Sequence, residues 1–294
     1  IKEMDTIRVN TRLDIFKDMR IEKDQLLLIE DGAEVIFSGN ANLKVYGGFI
    51  IAGEDQRVKI SAIGDNSIFV YSKIPCRITN ADFTGFASLI DSANNHFLPS
   101  ALTFYETTTK IDNSSFCNNT RGDDYINVFR CPEVMLTNCR FDNVLSDAVD
   151  SDFSNINVES CIFINIGNDA IDVSGSHLEI NNTDFIDIYD KAVSGGESST
   201  ISIDSCVFKR NAIAVVSKDG SILHFTNCVF KNNDLDIAAF QKKIEYDQPE
   251  IYTTDDGDWS VLIEEKVETN LITKKTNGVK AKMYGREFGR ATRK

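Results

Sequence analysis

Base is in short supply in this sequence of 294 residues: 31 lysines and arginines face 45 acidic residues, a net charge of −14. Binding a phosphate backbone needs basic surface, so nucleic acid is excluded as a partner. No apolar run is long enough to span a bilayer, so no transmembrane segment is expected. No signal peptide is legible either. The first residue is Ile1, so the chain is expected to be a mature protein or part of a longer one, and a missing signal says nothing about export. None of the seven cysteines forms a CxxC pair, which removes the usual zinc spacing. The three histidines, His96, His177 and His224, share no repeat position. None reads as a general base, and only His96, in a loop, merits a test. Helical periodicity is absent where the pattern is strongest. Aromatic and β-branched content is too high for disorder.

What is present is repetition. Phe recurs at Phe141, Phe163, Phe185, Phe208 and Phe230, with gaps of 22, 22, 23 and 22. Two residues before each stands Cys139, Cys161, Thr183, Cys206 or Cys228. Seven before each stands Val134, Ile156, Leu178, Ile201 or Leu223. A fixed period with small insertions marks a solenoid. Apolar and polar residues alternate within each copy, as in Ile156-Asn157-Val158, which is strand spacing. Asn, Asp, Gly and Ser fall where the chain must turn. The fold class is therefore all-β: one single-domain right-handed parallel β-helix with about 22 residues per regular coil, its handedness inferred from the general preference of parallel connections. The Phe and Cys columns are read as internal ladders, the cysteines as buried free thiols.

Three regions are expected. Residues 1–30 form an N-terminal cap with a first strand at Leu26–Ile29, after a charged, irregular stretch from Asp14 to Lys23. Residues 31–263 form the helix, and 264–294 a basic cap or tail beginning in earnest at Lys274. An excess of residues near Asp91 to Ser100 predicts a projecting loop.

Two columns carry charge. Counting six residues on from each Phe gives Asp147, Asp169, Lys191, Ala214 and Asp236; counting nine gives Asp150, Asp172, Ser194, Ser217 and Ala239. Stacking sets Asp147 about 5 Å from Asp169, and Asp150 likewise from Asp172. Like charges on adjacent strands repel. A cation, a shared proton or a lysine must offset them. Ca²⁺ takes six to eight oxygen ligands, so the four aspartates are the metal candidates, and Lys191 is the internal counter-charge. Glu197, Lys218, Asp219, Gln241 and Lys242 extend the stripe. Aspartates at β-helix turns also cap backbone groups, and these four could do only that.

Five segments resemble right-handed parallel β-helix proteins of the pectate-lyase-like superfamily, and within it bacterial β-helix regions joined to CotH-type kinase-like domains. They are Ser146–Asp150, Gly167–Ser176, Asp190–Ser194 with Glu197, Ser217–Asp219 and Ala238–Lys243. The resemblance runs from about Ala33 onward. It implies a parallel β-helix, and one pectate lyase group similar in fold holds Ca²⁺ on aspartates and uses a lysine base. Two functions follow as expectations. In the first, a Ca²⁺-assisted lyase or epimerase acts on an acidic (uronate) polysaccharide. Asp147, Asp150, Asp169 and Asp172 hold the metal, Lys191 removes the proton and Lys218 supports the anion. Glu197, Asp219, Gln241 and Lys242 contact substrate. A lysine beside aspartates has its pKa raised, so this works only if the metal absorbs their charge. In the second, the shaft is a non-catalytic cell-surface glycan-binding or structural module, and Tyr105, Tyr125, Tyr189 and Phe240 matter as exposed aromatics. An extracellular or cell-envelope setting, a monomer and a neighbouring domain complete the expectation.

Overall fold

A computed structural model describes residues 4–91 and 96–271. Each of the first ten coils gives one strand to each of three parallel sheets, which hold 12, 10 and 11 strands in all among the described residues. About 11 turns of about 23 residues make a β-solenoid, and no helix occurs among the described residues. The first sheet runs from Asp5–Val9 to Glu268–Thr269, the second from Arg12–Ile15 to Val229–Lys231, and the third from Met19–Ile21 to Val261–Ile263. The charged stretch from Asp14 to Lys23 is not irregular. Asp5–Val9, Arg12–Ile15 and Met19–Ile21 pair in parallel with the following coil, because their inward residues Val9, Ile15 and Ile21 are apolar and buried. Leu26 to Ile29 lies in the second coil's first strand, Gln25–Glu30.

The repeat columns are in register. Phe141, Phe163, Phe185, Phe208 and Phe230 are direct partners. The column extends back through Phe116 to Phe83, both on earlier coils. Phe141 and Phe163 stack with ring centroids 4.7 Å apart and 2° between planes. Each such ring removes apolar surface from water, about 1.5–3 kcal/mol per side chain. All seven cysteines are free.

Corners solve two problems. The first is backbone handedness. At the turn from first to second sheet, Asn80, Asn113, Asn138, Ser160, Asn182, Ser205 and Asn227 all have φ between 46° and 55°. Asn reaches this left-handed region at least cost after Gly, which explains its recurrence. The second is unpaired donors. At the turn from third to first sheet, the backbone N–H groups of Cys131, Ser154, Ser176 and Ser199 donate to the hydroxyls of Ser154, Ser176, Ser199 and Ser221, each one coil on. Every donor in this buried staircase is thus satisfied.

The residues in excess near Asp91 project as an antiparallel hairpin, Leu89–Asp91 against His96–Leu98. His96 lies on its second strand, and residues 92–95 lie outside the described residues. So do Lys274 and the rest of the basic tail.

Candidate functional site

Two outward-facing columns of the third sheet build the site. The first runs Asn127, Asp150, Asp172, Ser194, Val216 and Ala238. The second runs Phe129, Asp152, Ser174 and Gly196, and then Lys218 and Phe240. Counting at fixed intervals from Phe slips by one beyond Lys191. Lys191 pairs with Ile213, not Ala214, and Ser194 with Val216, not Ser217. The corner after Phe208 is one residue shorter than that after Phe185. This shortening follows an earlier gain of one residue between Gly196 and Thr200, where Glu197 and Ser198 both take positive φ. The slip puts Lys218 level with Gly196, where an added Cβ would meet the lysine Cε at 3.6 Å.

A third row lies at the strand entrances. Asp124 partners Asp147. Asp147 Oδ1 accepts from the Asn168 amide at 2.6 Å and from Asp169 N–H at 2.8 Å. Asp169 Oδ1 in turn accepts from Lys191 N–H at 3.0 Å. Each carboxylate therefore caps the next coil, which is one reason Asp recurs there. Lys191 is the counter-charge expected of it. Its Nζ lies 3.0 Å from Asp169 and 2.8 Å from Asp190, and all three side chains are at least 88% buried, with 12%, 3% and 9% exposure.

Electrostatics divide the patch. Burial, then neighbouring carboxylates, push the carboxyls of Asp124, Asp147 and Asp150 well above the ordinary range. Burial raises Asp169 to about 6 despite Lys191. Asp172 goes the other way. Burial pushes it up, but Lys218 and then Lys191 outweigh that and hold it below its usual value. The Lys218 ammonium stands 3.6 Å from Asp172 Oδ1. Lys191 is raised, because its three aspartates overcome the burial that lowers it. Lys242 is lowered, first by burial and then by Lys218 and Lys191. Asp124 Oδ2, Asp172 Oδ1 and Ser194 Oγ are buried and make no hydrogen bond among the described residues.

The four aspartates come together as a patch, not as a cage. Among the described residues no group of three or more His, Cys, Asp or Glu side chains is arranged to hold a metal ion. Asp169 is already bound by Lys191, Asp172 faces Lys218, and Asp147 Oδ1 has two donors. This donor set does not fit Ca²⁺ coordination, which needs several free carboxylate oxygens.

A family model described as a right-handed β-helix region matches residues 47–194, half of the chain and most of this site. The chain belongs to the right-handed β-helix family. No curated protein matches its sequence. Among solved structures, this β-helix resembles the gp42 tailspike of Acinetobacter phage vb_AbaP_AS12, at 8% identity and a TM-score of 0.51. That likeness covers 90% of this chain but spans only 58% of the tailspike. It also resembles a point mutant of the periplasmic alginate epimerase AlgG, at 9% identity and a TM-score of 0.50, covering 88% of this chain and 78% of that one. At such identity the likeness is one of fold.

The β-helix frame uses several predicted contact residues for itself. Asp219, 2% exposed at a positive-φ corner, accepts the backbone N–H groups of Lys242 and Lys243 at 2.5 and 2.6 Å. Gln241 is buried, bonded to Tyr246 O and to the Gln248 amide. Glu197 pairs with Lys243. Lys242 makes no ion pair among the described residues and lies within range of Asp172. Two of the expected exposed aromatics are buried. Tyr125 faces the core, its hydroxyl on the carbonyls of Phe83 and Cys117. Phe240 is only 4% exposed, packed with Val216 and Ala238 in a cluster outside the third sheet. Tyr189 is exposed. Sequence reading omitted Asp152 and Asp190 from the site. The first was legible as the outward residue two beyond Asp150; the second adjoins Lys191.

Proposed function

We propose that the outer face of the third sheet, from Asp124 to Lys242, binds an acidic glycan, and that the chain acts on it as a metal-independent uronate lyase or epimerase. The observation that carries this is the juxtaposition of Asp150, Asp172 and Lys218. A carboxyl with raised proton affinity stands in register beside an ionised one that faces a lysine. Paired groups driven apart in this way are the usual basis of acid–base division. The sugar carboxylate lies against Lys218 and Lys242, which absorb the charge that develops on proton removal. Asp150 takes the proton from the carbon next to that carboxylate, since its raised affinity makes it the stronger base once ionised. In elimination the electron pair forms the new C=C bond, the bond to the 4-oxygen breaks, and Asp150 returns the proton to that oxygen. In epimerisation Asp150 keeps the proton it removed and later releases it to solvent. A water on the other side of the ring gives a proton to the opposite face of the carbon and leaves as hydroxide that solvent neutralises. Lys191, held by Asp169 and Asp190, positions the row and is not the base. The setting in this reading is extracellular or at the cell envelope.

The spacing of Asp150 and Asp172 favours one second reading, glycoside hydrolysis by an acid and a carboxylate on neighbouring coils. One assay separates them. Acidic polysaccharides are incubated with wild type, Asp150→Asn and Lys218→Ala, without divalent cation. The lyase produces ultraviolet absorbance from an unsaturated uronate, and both variants lose it. The epimerase changes the uronate composition by NMR with no absorbance. Reducing ends without absorbance point to hydrolysis. No product and no epimer from any uronate polymer, with folded protein, sinks catalysis and leaves a binding shaft.

A further inference from the structure

The second column of the site does not begin at Asp152. Followed back toward the N-terminus, it is aromatic on four successive coils. Phe129 pairs with Tyr105. The pairing of Phe104 with Val70 puts Tyr105 beside Tyr71, and that of Val45 with Val70 puts Tyr46 beside Tyr71. The core does not need these rings. Their sequence neighbours Val45, Val70, Phe104 and Val128 point inward and are fully buried, so strand alternation sends the aromatics outward. All four are half-buried, and Phe69 beside Tyr46 at 6.2 Å and the exposed Phe153 beside Phe129 at 6.0 Å widen the aromatic surface at either end. Ring centroids lie 6.5, 5.1 and 5.6 Å apart along the series, and the last pair is nearly parallel at 18°.

Cations accompany the rings. The Arg20 guanidinium lies 4.1 Å from the Tyr46 centroid, the Lys73 ammonium 5.4 Å from Tyr71, and the Arg130 guanidinium 5.3 Å from Phe129. Arg20 and Lys73 are shared with Glu22 and Glu106, while Arg130 is exposed and makes no ion pair among the described residues. The two ends of the column differ. Beyond Lys218 the outer face is closed by Val216, Ala238 and Phe240, packed with Leu262. At the aromatic end the rings stay half-exposed. The face is therefore a track with one open end, leading into Asp152, Ser174 and Lys218.

We propose that this aromatic column is an accessory subsite for the non-reacting part of an acidic polysaccharide, which lies along the shaft axis. The proposal rests on the glycan reading of the adjoining patch. Neighbouring rings and cations cover part of the ring faces, and the parts of the rings left exposed along the column offer apolar surface to the C–H side of a pyranose. One ring per coil, with centroids 5.1 to 6.5 Å apart, offers a contact at roughly every sugar. Arg130 supplies charge for carboxylates carried along the chain, and continuity of register delivers the chain to Lys218.

Binding is measured by calorimetry with oligouronates of roughly three and roughly ten units, the longer long enough to cover the column at about one unit per coil. The proteins are wild type, Tyr71→Ala with Tyr105→Ala, the same pair changed to Phe, and Lys218→Ala. The Ala pair is expected to lose at least ~10-fold affinity for the long oligomer, about 1.4 kcal/mol, while the short one binds as before. The Phe pair, which keeps its rings, retains wild-type affinity for both. Lys218→Ala weakens both oligomers. Equal long-chain affinity in the Ala pair, with its melting temperature intact, overturns the subsite even if Lys218→Ala behaves as expected. Loss only in the Ala pair, with Lys218→Ala unaffected, upholds the subsite and removes the catalytic reading. If the wild type binds neither oligomer, the subsite is overturned. If the Ala pair unfolds, the Phe pair decides: it must bind the long oligomer more tightly than the short.

Discussion

Asp150 and Asp172 stand opposite each other on adjacent strands, yet their carboxyls are driven in opposite directions. The neighbours explain it. Asp172 has the Lys218 ammonium at 3.6 Å, whereas Asp150 has only the neutral Asn127 amide, at 2.9 Å, and more carboxylates.

The contrast fixes a dependence on pH. A carboxyl whose folded pKa is raised favours folding while protonated, and that stabilisation is lost as pH rises from the ordinary value, about 3.9, through the raised one. Asp124, Asp147 and Asp169 share this sign, and Asp172 has the opposite one. Wild type should therefore melt at a higher temperature in mild acid than at pH 8. Asp150→Asn should melt higher than wild type at pH 8, with a flatter profile. Melting curves across this range check it; a variant no more stable than wild type at pH 8 refutes the repulsion.

Lys191 should matter for stability before it matters for rate. Lys191→Met leaves Asp169 and Asp190 buried without their cation. Removing one partner of a buried pair costs about 3–5 kcal/mol. Changing both aspartates to Asn in the same background should recover most of it. Urea denaturation followed by circular dichroism reads both steps.

Calcium should do little. A ligand that binds only the folded state raises the melting temperature by mass action, by an amount that grows with the logarithm of one plus the ratio of ligand concentration to Kd. With Asp169 and Asp172 already facing lysines, millimolar Ca²⁺ should leave that temperature within error. A clear rise would restore a metal to the patch, through Asp124, Asp147 and Asp150.

The ring ladder should be sensitive at its centre. Phe163 is fully buried, stacked at 4.7 Å on Phe141 and 5.1 Å on Phe185. Phe163→Ala opens a cavity and should cost about 3–5 kcal/mol, more than Phe163→Leu, which fills most of the space. Denaturant midpoints of the two variants test the order.

Sequence alone determined the coil. Phe141 to Phe230 and the thiol and hydroxyl residues two positions earlier recur because every coil fills the same slot, and a slot repeated at a fixed period is visible in one dimension. The Asp147-to-Asp172 patch was legible for the same reason, and so was the counter-charge at Lys191. Tertiary structure alone decided what depends on corner lengths. The residue gained near Glu197 shows in the 23-residue gap from Phe185 to Phe208. The residue lost after Phe208 is hidden, because the longer corner between Lys218 and Ile222 restores the next gap to 22. That hidden loss moves Lys218 to the level of Gly196. It also decided direction. Tyr125 and Tyr105 are both aromatic residues of third-sheet strands, but one enters the core and the other stacks outside. A strand's side chains normally alternate between two faces, yet Tyr125 and Phe129, four residues apart on one strand, lie on opposite faces. The strand pairing skips Tyr125 on both sides, and that local break in the ladder, not the residue's own identity, sends the ring inward.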